Sequence, residues 1–258
     1  MEPSPWFVKL GDSDSAGLKL FVFPYSGGSA VSYARWRKWL PAEMELHGVQ
    51  LPGRGQRMAA PLVSDMDQLI AQLLPDLLPR LDQPYLLYGH SNGALMAFAV
   101  LNRLLQEGVR RPEAVILSGS RSPTVPWATE HLSALSDEQL LQKLKDLNGT
   151  PPALLEDMAI MRMFFPAIRA DFAIGESHVL RTVHPALRSI PALILAGEDD
   201  HIAMKDVFSW TDLFADGRTM SLSGDHFFIH SNPAFAHALR EFCQLACAAQ
   251  SSLVPAES

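Results

Sequence analysis

Short runs of apolar residues alternate along this chain with longer segments in which apolar positions recur every three or four residues. The short runs lie at 18–24, 45–51, 85–88, 114–119, 192–197 and 219–222. Continuous apolar strands are typical of a parallel sheet that is buried on both faces. Helical periodicity covers about 33–40, 66–81, 94–105 and 233–248. The alternation predicts an α/β fold, with a mostly parallel sheet and helices on both of its faces.

One segment, from about 124 to 185, breaks this alternation because it contains helical patterns and no convincing strand. Ser136 followed by Gln139 matches a capping box, which predicts that a helix begins there. Two more helical patterns follow, at 151–165 and 167–180. We interpret residues 1–258 as a single domain in which this helical insertion is a candidate lid or substrate platform.

The composition is that of a globular protein, with 48% hydrophobic and 19% charged residues and a net charge of −7. An acidic balance argues against nucleic acid as a partner, because phosphate backbones are bound by basic surfaces. The first residues lack a signal-peptide pattern, and no apolar stretch is long enough for a bilayer. We therefore expect a cytoplasmic protein that does not bind a membrane. In that reducing setting, Cys243 and Cys247 are expected to be buried thiols.

The pentapeptide Gly89-His90-Ser91-Asn92-Gly93 lies between a predicted strand and a predicted helix. A strand that reverses sharply into a helix exposes a serine hydroxyl above the sheet, and the flanking glycines leave room for the turn. The same position is a helix N-terminus, where developing negative charge is stabilised. Ser91 is therefore the candidate nucleophile.

A serine nucleophile needs a base and a carboxylate that orients the base, and on such a sheet the chain order is serine, acid, histidine. Asp200 follows the apolar run at 192–197, and His226 follows the glycine turn at Gly224. Three alternatives remain: Asp199 or Glu198 as the acid, and His230 as the base. Residues 198–201 also resemble metal ligands, but adjacent donors on one loop rarely converge on one ion, so we predict no metal.

The oxyanion of the tetrahedral intermediate needs two backbone N–H donors. We expect one from Asn92, directly after the nucleophile, and the other from Ser26 in the turn at 24–28. That turn is no phosphate loop, because it lacks the Gly-Lys-Ser/Thr ending.

Several segments carry a family resemblance. They read FPYSGGSA at 23–30, VQLPGRGQR at 49–57, LYGHSNGALMAFAV at 87–100, LSDEQLLQKLKDLNGTPPALLED at 135–157, FFPAIRADF at 164–172, LAGEDDHIA at 195–203 and GDHFFIH at 224–230. In this order they resemble the stand-alone type II thioesterases of nonribosomal peptide and polyketide assembly lines. The resemblance implies an α/β-hydrolase fold with a helical lid.

The same resemblance implies a function and a set of site residues. The enzyme would hydrolyse acyl or aminoacyl groups from the phosphopantetheine arm of carrier proteins and so edit stalled or misprimed synthases. It needs no cofactor of its own, and we expect a monomer. Ser91, Asp200 and His226 occupy the family's triad positions, and Ser26 and Asn92 its oxyanion positions.

Three residues depart from the family pattern. Tyr25-Ser26 stands where the family usually has His-Ala, Asn92 where it has methionine, and Asp225 where it has glycine. The first two departures should change the polarity of the pocket more than the mechanism. The effect of Asp225 on His226 is left open.

Apolar side chains of the insertion and of nearby loops are candidates for contact with the acyl chain. They are Tyr25, Met161, Phe164, Phe165 and Phe227. For most of the lid residues, packing against the main sheet is the alternative. Arg57 has two open interpretations, a buried ion pair or contact with the carrier arm.

Three other functions share some of these features. A medium-chain fatty acyl-carrier-protein thioesterase would have the same catalytic residues and a different lid pocket. A carboxylesterase would share the pentapeptide but not the lid segments. A non-catalytic partner of carrier domains would have no use for an intact triad.

Overall fold

The structure, a computed structural model, describes residues 4–13, 17–126 and 131–251. Its centre is a seven-stranded sheet. The strands are β1 (Phe7–Lys9), β2 (Leu18–Phe23), β3 (Met44–Val49), β4 (Tyr85–His90), β5 (Ala114–Ser118), β6 (Ala192–Gly197) and β7 (Gly217–Leu222). Their order across the sheet is β1-β3-β2-β4-β5-β6-β7.

Strands β2 to β7 are all parallel to one another, as the continuous apolar runs predict. Strand β1 pairs antiparallel with β3, placing Phe7 opposite Val49 at the edge of the sheet. Strand β1 was not predicted from the sequence, because a strand of three residues is too short to show a period. The predicted α/β fold is confirmed, with one additional antiparallel edge strand.

The helices lie between the strands and after the last of them. They are α1 (Met66–Leu77), α2 (Asn92–Gln106), α3 (Asp137–Leu147), α4 (Pro152–Leu155), α5 (Met158–Ser177), α6 (Met204–Phe208), α7 (Phe228–Ser231) and α8 (Pro233–Ser251). Residues predicted as a helix at about 33–40 instead form a 3₁₀-helix, Ala30–Lys38. Tyr33 and Trp36 are both buried there with ring centroids 4.9 Å apart, and a spacing of three residues suits the 3₁₀ period.

Two apolar layers cover the sheet. One contains the buried faces of α1 and α2, including Leu73 and Phe98. The other contains the 3₁₀-helix and α8, including Trp36 and Leu239. Helices therefore lie on both faces, and Ser91 is held at the end of β4 between two packed layers.

The described residues between β5 and β6 contain α3, α4 and α5. Helix α3 begins at Ser136 with the predicted capping box, in which the Ser136 hydroxyl accepts from the Gln139 amide. The three helices share an apolar cluster of their own, the lid cluster, formed by Leu140, Leu144, Leu155, Met161, Phe165 and Ile168. That this insertion acts as a lid on a single domain stays a prediction.

Helix α8 carries both cysteines. Cys243 is buried and Cys247 is half-buried, and burial raises the pKa of both thiols. The expectation of two buried thiols is therefore confirmed for Cys243, whereas Cys247 is only partly buried. Within the described ranges, no helix has the length and apolar character needed to cross a bilayer.

Candidate active site

Ser91 lies at the junction of β4 and α2, with a backbone φ of 56° and ψ of −126°. A positive φ is costly for a residue with a side chain, so the turn is strained. A Cβ on Gly89 would collide with the backbone of Gly93, so the flanking glycines are required. The Ser91 amide donates to the carbonyl of Ser118 on β5 at 2.8 Å. The pentapeptide thus has the predicted strand–turn–helix geometry.

His226 lies in the loop after β7, and Asp200 lies in the loop after β6. Nδ1 of His226 is 2.8 Å from Oδ2 of Asp200, and both side chains are buried. The other oxygen, Oδ1, lies 2.9 Å from Nδ1 of His201 and accepts from the Ile202 amide at 3.0 Å. Strand ends therefore bring together two residues that lie 26 positions apart.

The Asp200 carboxyl is held in its ionised form. Burial raises its pKa, but the hydrogen bonds from His201 and His226 outweigh burial and hold the pKa below its ordinary value. An ionised carboxylate on Nδ1 fixes the imidazole tautomer that leaves Nε2 free to accept a proton. The pair therefore has the geometry and charge of an oriented base.

Ser91 and His226 line the same cavity, the large cavity, of about 430 Å³. No hydrogen bond joins the two side chains among the described residues. In proteins without bound substrate, such bonds are often long and tighten only when substrate binds. The arrangement is compatible with proton transfer between them.

The predicted oxyanion donors lie on either side of Ser91. Ser26 lies in the turn after β2, and Asn92 is the first residue of α2, where helical N–H groups have no intrahelical partner. Neither amide donates to another group within the described chain. The Ser26 hydroxyl is also buried without a partner. Both amides are thus available to a ligand.

A second cavity, the small cavity, has a volume of about 180 Å³ and adjoins Ser91 from another side. Its lining includes the charged side chains of Lys143 and Glu176 beside apolar ones such as Leu95 and Leu132. Both cavities are lined by Ser26, Ser91, Leu147, Phe172 and His226. The candidate nucleophile therefore lines both cavities.

Four of the five predicted acyl-contact residues line the large cavity: Tyr25, Met161, Phe164 and Phe227. Phe165 does not line either cavity, because it is buried in the lid cluster. Met161 belongs to the same cluster and also reaches the cavity wall. The alternative of packing against the main sheet does not describe either residue, since the lid helices form their own apolar cluster.

The alternative catalytic residues lie elsewhere. His230 is exposed, with Nε2 3.1 Å from the hydroxyl of Tyr25. Glu198 accepts from the Ser221 hydroxyl at 3.1 Å, and Asp199 is exposed. Of the acids at 198–200, Asp200 alone hydrogen-bonds His226 in the described structure.

Three side chains, Asp200, His201 and His226, place donor atoms within 4.8 Å of one another. The hydrogen bonds from both histidines to the Asp200 carboxylate account for this proximity. Of the four loop residues at 198–201 that resemble metal ligands in the sequence, Glu198 and Asp199 do not belong to this group.

The Asp225 carboxylate contacts the insertion and makes no hydrogen bond to the ring of His226 within the described residues. Its carboxylate accepts from the Phe227 amide at 2.9 Å and from the side-chain amide of Asn148 at 2.8 Å. Asn148 follows the end of α3 in a left-handed conformation with φ of 55°. The departure from glycine at 225 therefore supplies a contact between the lid helices and the loop of His226.

Arg54 and Asp171, for which no role was predicted from the sequence, form a buried ion pair beside Ser26. The two terminal nitrogens of the Arg54 guanidinium, Nη1 and Nη2, each lie 2.6 Å from a carboxylate oxygen of Asp171. Burial raises the pKa of Asp171, and Arg54 and the Gly27 amide limit the rise. Both residues lie inside segments that carry the family resemblance, which was the one signal that could have pointed to them.

Arg57, in the same segment as Arg54, lies against an aromatic ring where a buried ion pair was one expectation, and the other, contact with the carrier arm, stays a prediction. Its guanidinium carbon lies 3.6 Å from the centre of the Trp6 ring, and its Nη1 donates to the Gln50 carbonyl at 3.1 Å. Burial lowers its pKa. Arg57 therefore fastens the N-terminal segment to the loop after β3.

The mostly parallel sheet, with a serine elbow after β4 and loops after β6 and β7 that carry an acid and a histidine, defines an α/β-hydrolase fold. A model of the thioesterase domain family matches residues 18–244. The chain belongs to this family and is a hydrolase that acts on thioesters.

Relatives and solved structures agree with this assignment. The chain is 31% identical over 229 residues to the gramicidin S biosynthesis protein GrsT of Aneurinibacillus migulanus, covering 88% of this chain and 89% of GrsT. It is 31% identical over 224 residues to the medium-chain S-acyl fatty acid synthase thioesterase of Rattus norvegicus, covering 85% and 84%. The structure of BorB, a type II thioesterase from the borrelidin biosynthetic cluster, superposes with a TM-score of 0.83 at 30% identity, covering 96% and 99%.

Proposed function

We propose that this enzyme removes acyl and aminoacyl groups from the phosphopantetheine arm of carrier proteins and so edits stalled or misprimed nonribosomal peptide or polyketide synthases. The observation that carries the proposal is that His226, oriented by Asp200, lines the same apolar cavity as Ser91. The relatives from antibiotic biosynthesis support the choice of pathway.

In the proposed mechanism, the Ser91 hydroxyl attacks the thioester carbonyl while His226 Nε2 takes its proton. The amides of Ser26 and Asn92 donate to the oxyanion. When the tetrahedral intermediate collapses, the C–S bond breaks and the pantetheine thiol leaves with the proton from His226. Water then attacks the acyl-enzyme with His226 as base, and the acid is released with Ser91 restored.

Asp200 acts on His226 in both halves of this cycle. Its carboxylate holds Nδ1–H across 2.8 Å and stabilises the imidazolium that forms when Nε2 is protonated. Nucleophile, base and oxyanion donors all come from the chain, so the proposed reaction needs neither a metal nor a cofactor. The phosphopantetheine belongs to the substrate.

The large cavity, with Leu154, Met161 and Phe164 among its apolar lining residues, suits the acyl group, and its methionine can adapt to varied chains. Its volume of about 430 Å³ exceeds that of an acetyl or aminoacyl group.

We propose a monomer that meets its carrier as a separate protein, and its net charge of −7 disfavours nucleic acid.

A second candidate function is chain termination on a fatty acyl-carrier protein. It is favoured by the size and apolar lining of the large cavity and by the similarity to the medium-chain thioesterase from rat. It would use the same catalytic residues and differ in its preference for chain length.

The test is hydrolysis of acetyl-, aminoacyl- and decanoyl-carrier proteins, measured side by side for the natural chain and Ser91→Ala. We expect turnover of all three substrates, and a loss of at least about a thousandfold in the variant. Ser189→Ala is the matched control, since its hydroxyl bonds the Ala186 carbonyl far from the site. A sharp preference for decanoyl would favour the second function, and undiminished turnover by Ser91→Ala would refute both.

A further inference from the structure

Asp171, in the middle of α5, is almost completely buried at 1% exposure. Its carboxylate accepts from three N–H groups. Two come from Arg54, each at 2.6 Å, and the third is the backbone amide of Gly27 at 2.7 Å. Arg54 in turn donates to the carbonyl of Gly28 at 2.9 Å. Asp171 on α5 therefore bonds Gly27, and Arg54 bonds Gly28, so both glycines of the turn that contains Ser26 are held.

The backbone of Asp171 makes a second connection, on the other side of Ser91. Its carbonyl accepts a hydrogen bond from the side-chain amide of Asn92. Asn92 is 8% exposed, and its side-chain oxygen has no partner. Gly175, one turn further along α5, lies so close to that oxygen that a Cβ there would collide with it.

Both backbone amides assigned to the oxyanion therefore adjoin a contact with a single lid residue. Gly27 directly follows Ser26, and Asn92 is itself the other donor. We propose that Asp171, held by Arg54, is a positioning residue that sets the distance between the two oxyanion donors. That distance then depends on the position of α5 relative to both donors. This inference rests on the proposed function, in which Ser26 and Asn92 are those donors.

A purely structural role for Asp171 would be to neutralise the buried guanidinium of Arg54, which is 11% exposed. Neutralisation requires only the two bonds to Arg54. The bond from Gly27 and the bond to Asn92 do not involve Arg54, and they point to the oxyanion donors from opposite sides. Preorganised donors are worth far more to the transition state than to the ground state, so the two roles differ in their kinetic consequences.

The test uses Asp171→Asn and Asn92→Ala in the full chain, with a small soluble acyl thioester as substrate. Asp171→Asn keeps the size of the side chain and removes its charge. Asn92→Ala keeps the backbone amide and removes the bond to α5. We expect kcat to fall by about 10- to 100-fold in Asp171→Asn and by about tenfold in Asn92→Ala, with KM within about threefold.

A second readout isolates the oxyanion. A trifluoromethyl ketone thioether forms a tetrahedral adduct on the serine, so its affinity should fall in each variant by about the same factor as kcat/KM. Asp137→Asn is the matched control, because Asp137 pairs with Arg169 at 2.9 Å within the lid and touches neither Gly27 nor Asn92. It should keep kcat and ketone affinity within about twofold.

The double variant Arg54→Met with Asp171→Leu removes both buried charges. Restored thermal stability with kcat still low would support positioning, and restored kcat would show that Asp171 only neutralises Arg54. If folded Asn92→Ala and Asp171→Asn both keep the kcat and the ketone affinity of the natural chain, the proposal is also overturned. If Asp171→Asn is insoluble, the result for Asn92→Ala decides alone. The soluble thioester involves no carrier, so these results stand apart from any failure on carrier substrates.

Discussion

The side-chain amide of Asn148 donates to the carboxylate of Asp225 across 2.8 Å and so links the end of α3 to the residue before His226. Asn148 has φ of 55°, a conformation that glycine also adopts readily. The bond is exposed, so we expect it to contribute only about 1 kcal/mol to global stability. It does connect the lid helices to the loop of the proposed base.

Breaking this bond should loosen the lid without unfolding the protein. Asn148→Gly keeps the backbone conformation and removes the amide, and Asp225→Ala removes the acceptor. In a double-mutant cycle, we expect a coupling free energy of about 0.5–1.5 kcal/mol from urea denaturation and a rise in KM for acyl-carrier substrates in both single variants. Additive effects on both quantities would show that the two side chains do not cooperate.

A second lid contact lies one residue further along, where Gly149 packs against the ring of Phe227. A Cβ on Gly149 would collide with that ring, whose centroid lies 5.2 Å from the centroid of the His226 ring. Gly149→Ala should therefore displace Phe227 and lower kcat/KM by about tenfold. Gly17→Ala is the control, because a Cβ there meets only the Glu43 carbonyl, at 3.9 Å. Equal kinetics in the two variants would contradict the packing argument.

Leu147 lies where the large and small cavities meet beside Ser91. Phenylalanine at this position should narrow the passage, while alanine should widen it. We expect Leu147→Phe to lower kcat/KM for decanoyl-carrier by about tenfold or more relative to acetyl-carrier, and Leu147→Ala to change that ratio little or in the opposite direction. A ratio that is the same in the natural chain and Leu147→Phe would mean that acyl groups follow another path.

Acid stability should depend on Glu45, which lies 2.7 Å from Lys9 and 3.0 Å from the ring of His47. Burial raises the pKa of Glu45, but these hydrogen bonds outweigh it and lower the pKa to about 2 from an ordinary 4.5. A depressed carboxyl pKa stabilises the fold above the unfolded value, and this contribution is lost as pH falls from about 4.5 towards 2.

His47 acts in the same direction, because burial lowers its pKa and protonation below pH 6.5 therefore opposes folding. Glu45→Gln should cost about 1 kcal/mol at pH 6, less than the full shift implies because solvent screens the pair, and should flatten the fall in stability between about pH 5 and 3. Urea denaturation at each pH measures both effects. Glu107→Gln, which breaks an exposed pair with Arg103, should leave the pH profile unchanged.

Much of the fold and of the candidate site could be predicted from local sequence. Parallel strands are buried on both faces, so β2 and β4 to β6 stand out as apolar runs. The elbow at Ser91 requires glycines that are visible in the sequence, and Asp200 and His226 follow from the order of strand ends. Strand β1 is too short to show a pattern, and the 3₁₀-helix has a different period from the α-helix predicted there.

The Arg54–Asp171 pair lay beyond such reasoning, because 117 positions separate the two residues. No local pattern shows which arginine a buried carboxylate meets. An ion pair was one expectation for Arg57, but Arg54 forms the pair. Both arginines lie in one segment, and only tertiary packing distinguishes them. The same is true of Asp225, whose partner Asn148 is 77 positions away.

The most direct test of the central claim is the mass of the protein during turnover. Decanoyl-carrier protein is mixed with the natural chain, the reaction is quenched in acid within milliseconds, and the intact protein and its peptides are weighed. We predict a protein heavier by one decanoyl group, with the added mass on the peptide that contains Ser91 and absent from Ser91→Ala. Full hydrolysis by Ser91→Ala, or an acyl group on a different residue of the natural chain, would contradict Ser91 as the nucleophile.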